Sequence, residues 1–578
     1  MAVTIYYDGD CPFCAHYVRD LRLAEAAGTP RLVDLREAAL DRAWLQREGF
    51  DLDESMVVEI DGRRYGGGDA VHALALLSTG SGWFNRLNAL ILSNRCLARL
   101  GYPLLRAVRN ATLLCLGRQP IRADDGESAL FLVFSLFFAL FGAMHFLIYA
   151  IRYQQAVMHP STWALLPLSV LLFLRPGSKL LFVLLALTMA ADSWAQAPMA
   201  SNHTILKNFF LLGVLAAGLY HWLRGSSWSR FFADIVPVGQ ALLVLMYVFG
   251  IFHKINEGFL DPAVSCAVTL WRLMPLPLRL LDGPLIHDLT IYGTFLAEGA
   301  IILLLLVPAT RHWGIVAGMG FHMLLALSGF AMYPAFSSLS LALHTLFLSP
   351  EAAHRVVASP LFGRILRVLH SPAGWMMLLS VLVLMAWAAL LRDYATVGLF
   401  WLLLVGPPAA AILLYGRCER GDRPSAPILW SRLRFLNVIG LLFLLNGAMP
   451  YLGLKSAQAI NMFANLRLEG GYSNHLVLRG APGPFGYLDD VVAIEAAEGS
   501  RYLEYIVRNR MHLVYYALLD RLEREPHARV TYTRANQRFE NVDAAALADE
   551  IEQTLHPRWV RKYFHFTPVD LTDAPRCR

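Results

Sequence analysis

Between about residues 129 and 453 the chain is a succession of apolar runs broken by short polar loops. One run, "ALFLVFSLFFALFGAMHFLIYAI" (129–151), is nearly free of charge. A helix of about 20 apolar residues crosses the hydrocarbon core of a bilayer. Roughly eleven segments reach or approach that length. They lie near 129–151, 162–174, 180–197, 205–223, 235–252, 289–309, 313–329, 337–349, 375–391, 397–415 and 435–453. On either side the pattern changes: charges are frequent before residue 125 and after 455.

The first eighty residues predict strands over 3–7, 31–35, 56–60 and 63–65, the last two joined by a turn at Asp61-Gly62. Helices are expected over 15–27 and 39–47, and over 70–77 with Asp69 at its N-cap. This β-α-β-α-β-β-α order carries a Cys-x-x-Cys where the first strand meets the first helix, and it resembles thioredoxin-like proteins. Residues 83–122 are amphipathic and rich in arginine, and read as helices on the inner membrane surface or as a solvated linker. The tail mixes strand-like pieces ("HLVLRG", "DVVAIEAA", "RVTYTRA") with a helix near 508–522. The expected fold is a thioredoxin-like α/β domain (1–82), basic linker helices (83–128), a helical membrane bundle (129–454) and a small α+β domain (455–578).

Composition agrees with a membrane protein: 56% of residues are hydrophobic and 16% charged, with a mean hydropathy of +0.46. The net charge of +6 needs no nucleic acid to explain it, because arginines cluster beside the apolar runs. With the N-terminus inside, the inward loops hold thirteen lysines and arginines against five in the outward ones, as the positive-inside bias expects. The N-terminal domain is then cytoplasmic and the tail extracytoplasmic, in a membrane expected to be a bacterial cytoplasmic one. No secretory signal opens the chain.

Chemistry concentrates first in "YYDGDCPFC". Cys11 and Cys14 straddle the first turn of a helix, whose free amides and dipole stabilise a thiolate. Cys11, expected to be the more exposed, is the candidate nucleophile and Cys14 the resolving thiol. Asp8 and Asp10 would raise the thiol pKa and favour a reductant or weak oxidant. A zinc site needs further ligands, which no second close Cys or His pair supplies; half a metal site and chance remain the alternatives, and no metal is expected. "YYDGDCPFC", "RLVDLRE" and "YGGGDAVHALALL" together resemble the DCC family of thiol-disulfide oxidoreductases over residues 3 to 120. The resemblance implies dithiol exchange through Asp8, Cys11 and Cys14, with a protein or small thiol as substrate. "GGGD" is similar to the glutathione-holding turn of glutaredoxins, making Gly67, Gly68 and Asp69 candidates for substrate binding; a turn plus a cap is the alternative. "DLDES" (51–55) lacks the proline that thioredoxins place before the third strand.

Polar residues in or beside spans are costly and therefore candidates for function. "SNHTILK" (201–207), "FGIFHKINEGFLDPAVSC" (249–266), "GFHMLLAL" (320–327) and "MFANLRLEGGYSNHLVL" (462–478) supply Asn202, His203, His253, Lys254, Asn256, Cys266, His322, Arg467, Asn474 and His475. Glu298 adds a carboxylate inside an apolar run, with His322 as its expected partner. These motifs resemble HTTM proteins, whose membrane domain is shared with vitamin K-dependent γ-glutamyl carboxylases, over residues 129 to 480. "SWAQAPMASNH" holds no lysine to act as a base, so glutamate carboxylation itself is not expected; Lys207 and Lys254 are the lysines near by. Capping, snorkelling and core roles are the structural alternatives. The sequence thus predicts a membrane-anchored thiol-disulfide oxidoreductase in contact with lipid, with quinone or glutathione as candidate cofactors. A lipid-binding or assembly protein with a redox-sensing Cys-x-x-Cys domain, and a modifier of secreted polypeptides, are the competing readings.

Overall fold

In the computed structural model, the described residues are most of 2–20, 29–35, 37–50, 56–78 and 86–109, with scattered omissions, and then 126–152, 160–197, 201–224, 228–417, 428–480, 483–571 and 577. Asp10 and "DLDES" lie outside them, as do much of the helices expected over 15–27 and 39–47 and most of the arginine-rich stretch. The chain divides into two compact units, Met1–Ser128 with Leu215–Ile235, and Ala129–Val214 with Val236–Arg578.

The first unit holds a four-stranded sheet in the order β2-β1-β3-β4, made of β1 (Val3–Tyr7), β2 (Arg31–Asp34), β3 (Val57–Ile60) and β4 (Arg63–Gly66). β1 runs parallel to β2 and antiparallel to β3. The β3–β4 hairpin turns on Asp61 and Gly62, both left-handed at φ 45° and 78°, the backbone that a two-residue turn needs to match strand twist. Ile5, Val58 and Leu74 are buried between the sheet and the helix Gly68–Leu77. That helix begins at Gly67, whose φ of 60° suits glycine. Asp69 is therefore not the cap; it stands in the first turn, its carboxylate 3.0 Å from Arg95. Described residues of the arginine-rich stretch fold onto this domain: Tyr102 accepts the Met56 amide at 3.3 Å, and His72 bonds the Leu92 carbonyl at 2.9 Å.

In the rest of the chain, eight helices among the described residues are long and apolar enough to cross a membrane. Ser128–Ile151 is the most enclosed, with 94% of its apolar window buried against 22% for Pro284–Leu306. Its Phe134 and Phe138 pack on Phe182 and Phe210. Three further expected segments form shorter helices, Pro160–Leu174, Arg311–Ala326 and Tyr333–Thr345. At 1.5 Å per residue these reach about 20–24 Å, short of the ~30 Å hydrocarbon core. Helices approach closely where glycine permits it: a Cβ on Gly398 would run into the Ala326 carbonyl, whereas Gly406, two turns along the same helix, faces open space.

After residue 490 an antiparallel sheet, ordered β6-β5-β7-β8, comprises β5 (Val491–Glu498), β6 (His512–Val514), β7 (Arg529–Arg534) and β8 (Gln537–Val542). Leu503, Leu519, Val530 and Tyr532 fill its core beneath the helices Arg501–Arg508 and Tyr515–Arg524. "HLVLRG" forms no strand; His475 makes a single bridge to Asn256, because its neighbours are committed to side-chain bonds. A disulfide joins Cys266 to Cys577, 311 residues on. We expect Gly398→Ala to lower the thermal midpoint of the detergent-solubilised protein by several degrees, through an overpacking cost of about 1–3 kcal/mol. Gly406→Ala, read in the same assay, leaves the midpoint unchanged or slightly raised.

Candidate functional site

The Cys-x-x-Cys turn is built by β1 and the helix Pro12–Asp20. Proline opens the helix, where no intrahelical amide bond is lost, and Cys11 stands just before it. The Cys14 amide donates to Cys11 Sγ at 3.2 Å. Both cysteines are free thiols. Cys11 is 1% exposed and Cys14 is half-buried, the reverse of the expected order. The Cys11 thiol is nonetheless lowered to about 6: the Cys14 thiol donates to it, the Cys14 amide adds to this, and the Arg109 guanidinium attracts the thiolate, against burial and the Asp8 charge. The same thiol–thiolate bond, with burial, pushes Cys14 up.

Arg109 is the residue that sequence reasoning missed. Its Nη2 lies 2.7 Å from Asp8 Oδ2, and both side chains are buried. Asp8 does oppose the thiolate, as expected, but a cation from 101 residues away compensates it. The arginine-rich composition of residues 83–122 was the available signal; it pointed to the membrane surface instead. Gly67 and Gly68 form the turn into the helix Gly68–Leu77, and Asp69 is engaged by Arg95.

The membrane motifs separate into two groups. Asn202, His203, Lys254, Glu298 and His322 all line one cavity of about 360 Å³. Glu298 is partnered by Lys254 at 2.5 Å, not by His322; His322 Nε2 instead meets the Tyr247 hydroxyl at 2.9 Å. His203 bonds Ser201 Oγ through Nδ1 at 2.8 Å and faces His145 Nδ1 through Nε2 at 3.3 Å. Lys207 is fully buried, and its Nζ has no hydrogen-bond partner among the described residues.

The second group is spent on holding the backbone. Asn256 donates to the His253 and Ala464 carbonyls at 2.7 and 2.6 Å, and its Oδ1 accepts from the Phe259 amide and from Asn474 Nδ2. Asn474 Oδ1 accepts the Arg467 amide at 2.9 Å, and Arg467 Nη2 donates to the Leu571 carbonyl at 3.3 Å. His475 Nε2 donates to the Phe252 carbonyl at 2.9 Å, leaving Nδ1 to accept the Val477 and Leu478 amides. His253 Nε2 donates to the Ala459 carbonyl, and its Nδ1 accepts the Tyr451 hydroxyl. Cys266 is consumed by the disulfide to Cys577, so it is not a free thiol. No cluster of three or more potential metal ligands occurs among the described residues.

Residues 5–114 match the family of DCC1-like thiol-disulfide oxidoreductases, a span that includes Cys11, Cys14 and Arg109. No curated protein and no solved structure matches the chain. The chain thus carries an N-terminal DCC1-like thiol-disulfide oxidoreductase domain, followed by apolar helices long enough to span a membrane.

Two outcomes follow from these contacts. Alkylation of Cys11 by a small haloacetamide should rise with pH around a midpoint near 6. Arg109→Met should move that midpoint upward by about one unit or more, because the thiolate loses an attracting cation and Asp8 loses that counter-charge. Separately, Asn256→Ala should destabilise the protein by about 2–4 kcal/mol in a denaturant titration, since it strands buried carbonyl and amide partners.

Proposed function

We propose that this protein is a membrane-anchored thiol-disulfide oxidoreductase whose Cys11–Cys14 couple exchanges electrons with a protein or small-thiol substrate. The observation that carries the reading is Cys11 Sγ, at a helix N-terminus, taking the Cys14 amide at 3.2 Å within a domain of matching family. In the reducing direction the Cys11 thiolate attacks one sulfur of a substrate disulfide and expels the other as a thiolate. Cys14, giving up its proton, then attacks Cys11 Sγ, closing the Cys11–Cys14 disulfide and releasing the second substrate thiol. Two electrons pass to the substrate. Because Cys11 is held near 6, its thiolate stabilises the reduced couple, which makes the oxidised couple the better electron acceptor. The domain therefore leans toward oxidant, more than its flanking aspartates suggested.

The bundle anchors this chemistry at a bilayer. A cytoplasmic N-terminal domain and an extracytoplasmic tail require an odd number of crossings, so the eight long helices need one or all three of the shorter ones to cross as well. The Cys266–Cys577 disulfide supports an oxidising compartment for the tail. Expressed in cells, Cys14→Ser should accumulate mixed disulfides through Cys11, visible as reductant-sensitive bands on a non-reducing gel. Cys11→Ser and the double variant should accumulate none. Equal trapping by both single variants, or by neither, would sink the assignment of roles.

A further inference from the structure

The walls of the bundle cavity are mostly hydrocarbon and aromatic, including Phe259, Phe321, Phe336 and Phe463, yet two deeply buried polar atoms in them have no hydrogen-bond partner among the described residues. They are Glu298 Oε2 and His322 Nδ1, on side chains 7% and 1% exposed. A chain of hydrogen bonds fixes what each can do. His344 Nδ1 lies 2.6 Å from the Ser340 carbonyl, which only accepts, so Nδ1 carries the proton and Nε2 of the neutral ring is an acceptor. The Tyr247 hydroxyl, 3.2 Å away, must then donate to His344 Nε2. With its one proton committed, Tyr247 accepts from His322 Nε2 at 2.9 Å. His322 Nδ1 is left as a bare lone pair. Glu298 is a carboxylate whose Oε1 takes the Lys254 ammonium at 2.5 Å, so Oε2 is an acceptor too.

We infer that this cavity binds a lipophilic alcohol or phenol, its apolar body among the phenylalanines and its hydroxyl donating to Glu298 Oε2 or His322 Nδ1. Unpaired acceptors buried in an apolar wall cost free energy, and a ligand that supplies a donor recovers it. A ligand with carbonyl oxygens alone, a quinone among them, would set lone pair against lone pair at both atoms. A fatty acid anion would face the Glu298 carboxylate. A lipophilic ammonium would sit beside Lys254. A hydroxyl avoids all three penalties, and its oxygen can also accept from the Asn202 amide or the Tyr333 hydroxyl, both in the same wall.

The test uses the full-length protein in detergent and two probes of nearly the same shape and lipophilicity, 4-nonylphenol and its methyl ether 4-nonylanisole, with thermal unfolding as the readout. The phenol should raise the midpoint at a concentration about tenfold lower than the ether, the difference expected for one hydrogen bond to a charged or buried acceptor. Glu298→Gln and His322→Phe should each narrow that gap, and Cys11→Ser should leave it intact. Equal potency of the two probes on the wild-type protein, no stabilisation by either, or a gap that survives in both cavity variants would overturn the inference. The wild-type comparison decides the matter by itself if a variant fails to fold.

Discussion

Removing a charged or polar group from water is costly unless another group answers it, and that cost shapes both the N-terminal turn and the cavity of the bundle. In the N-terminal domain it appears as the buried Asp8–Arg109 pair. Arg109 offsets the Asp8 carboxylate, whose charge opposes ionisation of the neighbouring Cys11 thiol. With it, the turn carries an acid, a base and a thiolate at once, and the Cys11 thiol falls to about 6 even though its sulfur is covered. In the bundle the same requirement appears as Lys254 on Glu298. The pairing lowers the cost of keeping either charge out of water.

The polar groups of the membrane motifs divide according to how fully that requirement is met. Asn256, Asn474 and His475 use their donors and acceptors on one another and on the backbone of the loops that follow the spans. Groups so fully satisfied make a rigid knot. They tie the segment after Lys254 to the chain around residues 464–478, and the Cys266–Cys577 disulfide binds the end of the tail to the same place. Glu298 and His322 are each satisfied on one side only. Residues of one apparent motif thus serve different ends, and the difference lies in which atoms are left facing the cavity.

The couple and the cavity make separate chemical demands. At the turn, an amide and a neighbouring thiol lower the cost of a negative sulfur, while the partner cysteine holds its proton. In the bundle, largely apolar walls strengthen whatever hydrogen bond a ligand can offer. Nothing in either arrangement requires electrons to pass between them.

Much of the local architecture was legible from the sequence. The β-prone runs "VTIYY" and "MVVEI", the Asp61-Gly62 turn and the succession of apolar segments each report on how a stretch of chain buries itself, which depends on its own residues and on near neighbours. So did the placement of Cys11 at a helix start. What the sequence could not decide is which distant group meets which. Arg109 looked like one basic residue among many in an amphipathic stretch, and only packing brought it to Asp8. Glu298 was matched to His322 on the adjacent segment, whereas the bundle delivers Lys254, 44 residues back. Cys11 was read as the more exposed thiol, yet it is buried and Cys14 is the more open of the two. Pairings of this kind are decided by the tertiary structure, because an ion pair, a tautomer chain or a disulfide depends on the positions of two atoms in space, and periodicity along one strand or helix carries no information about the second.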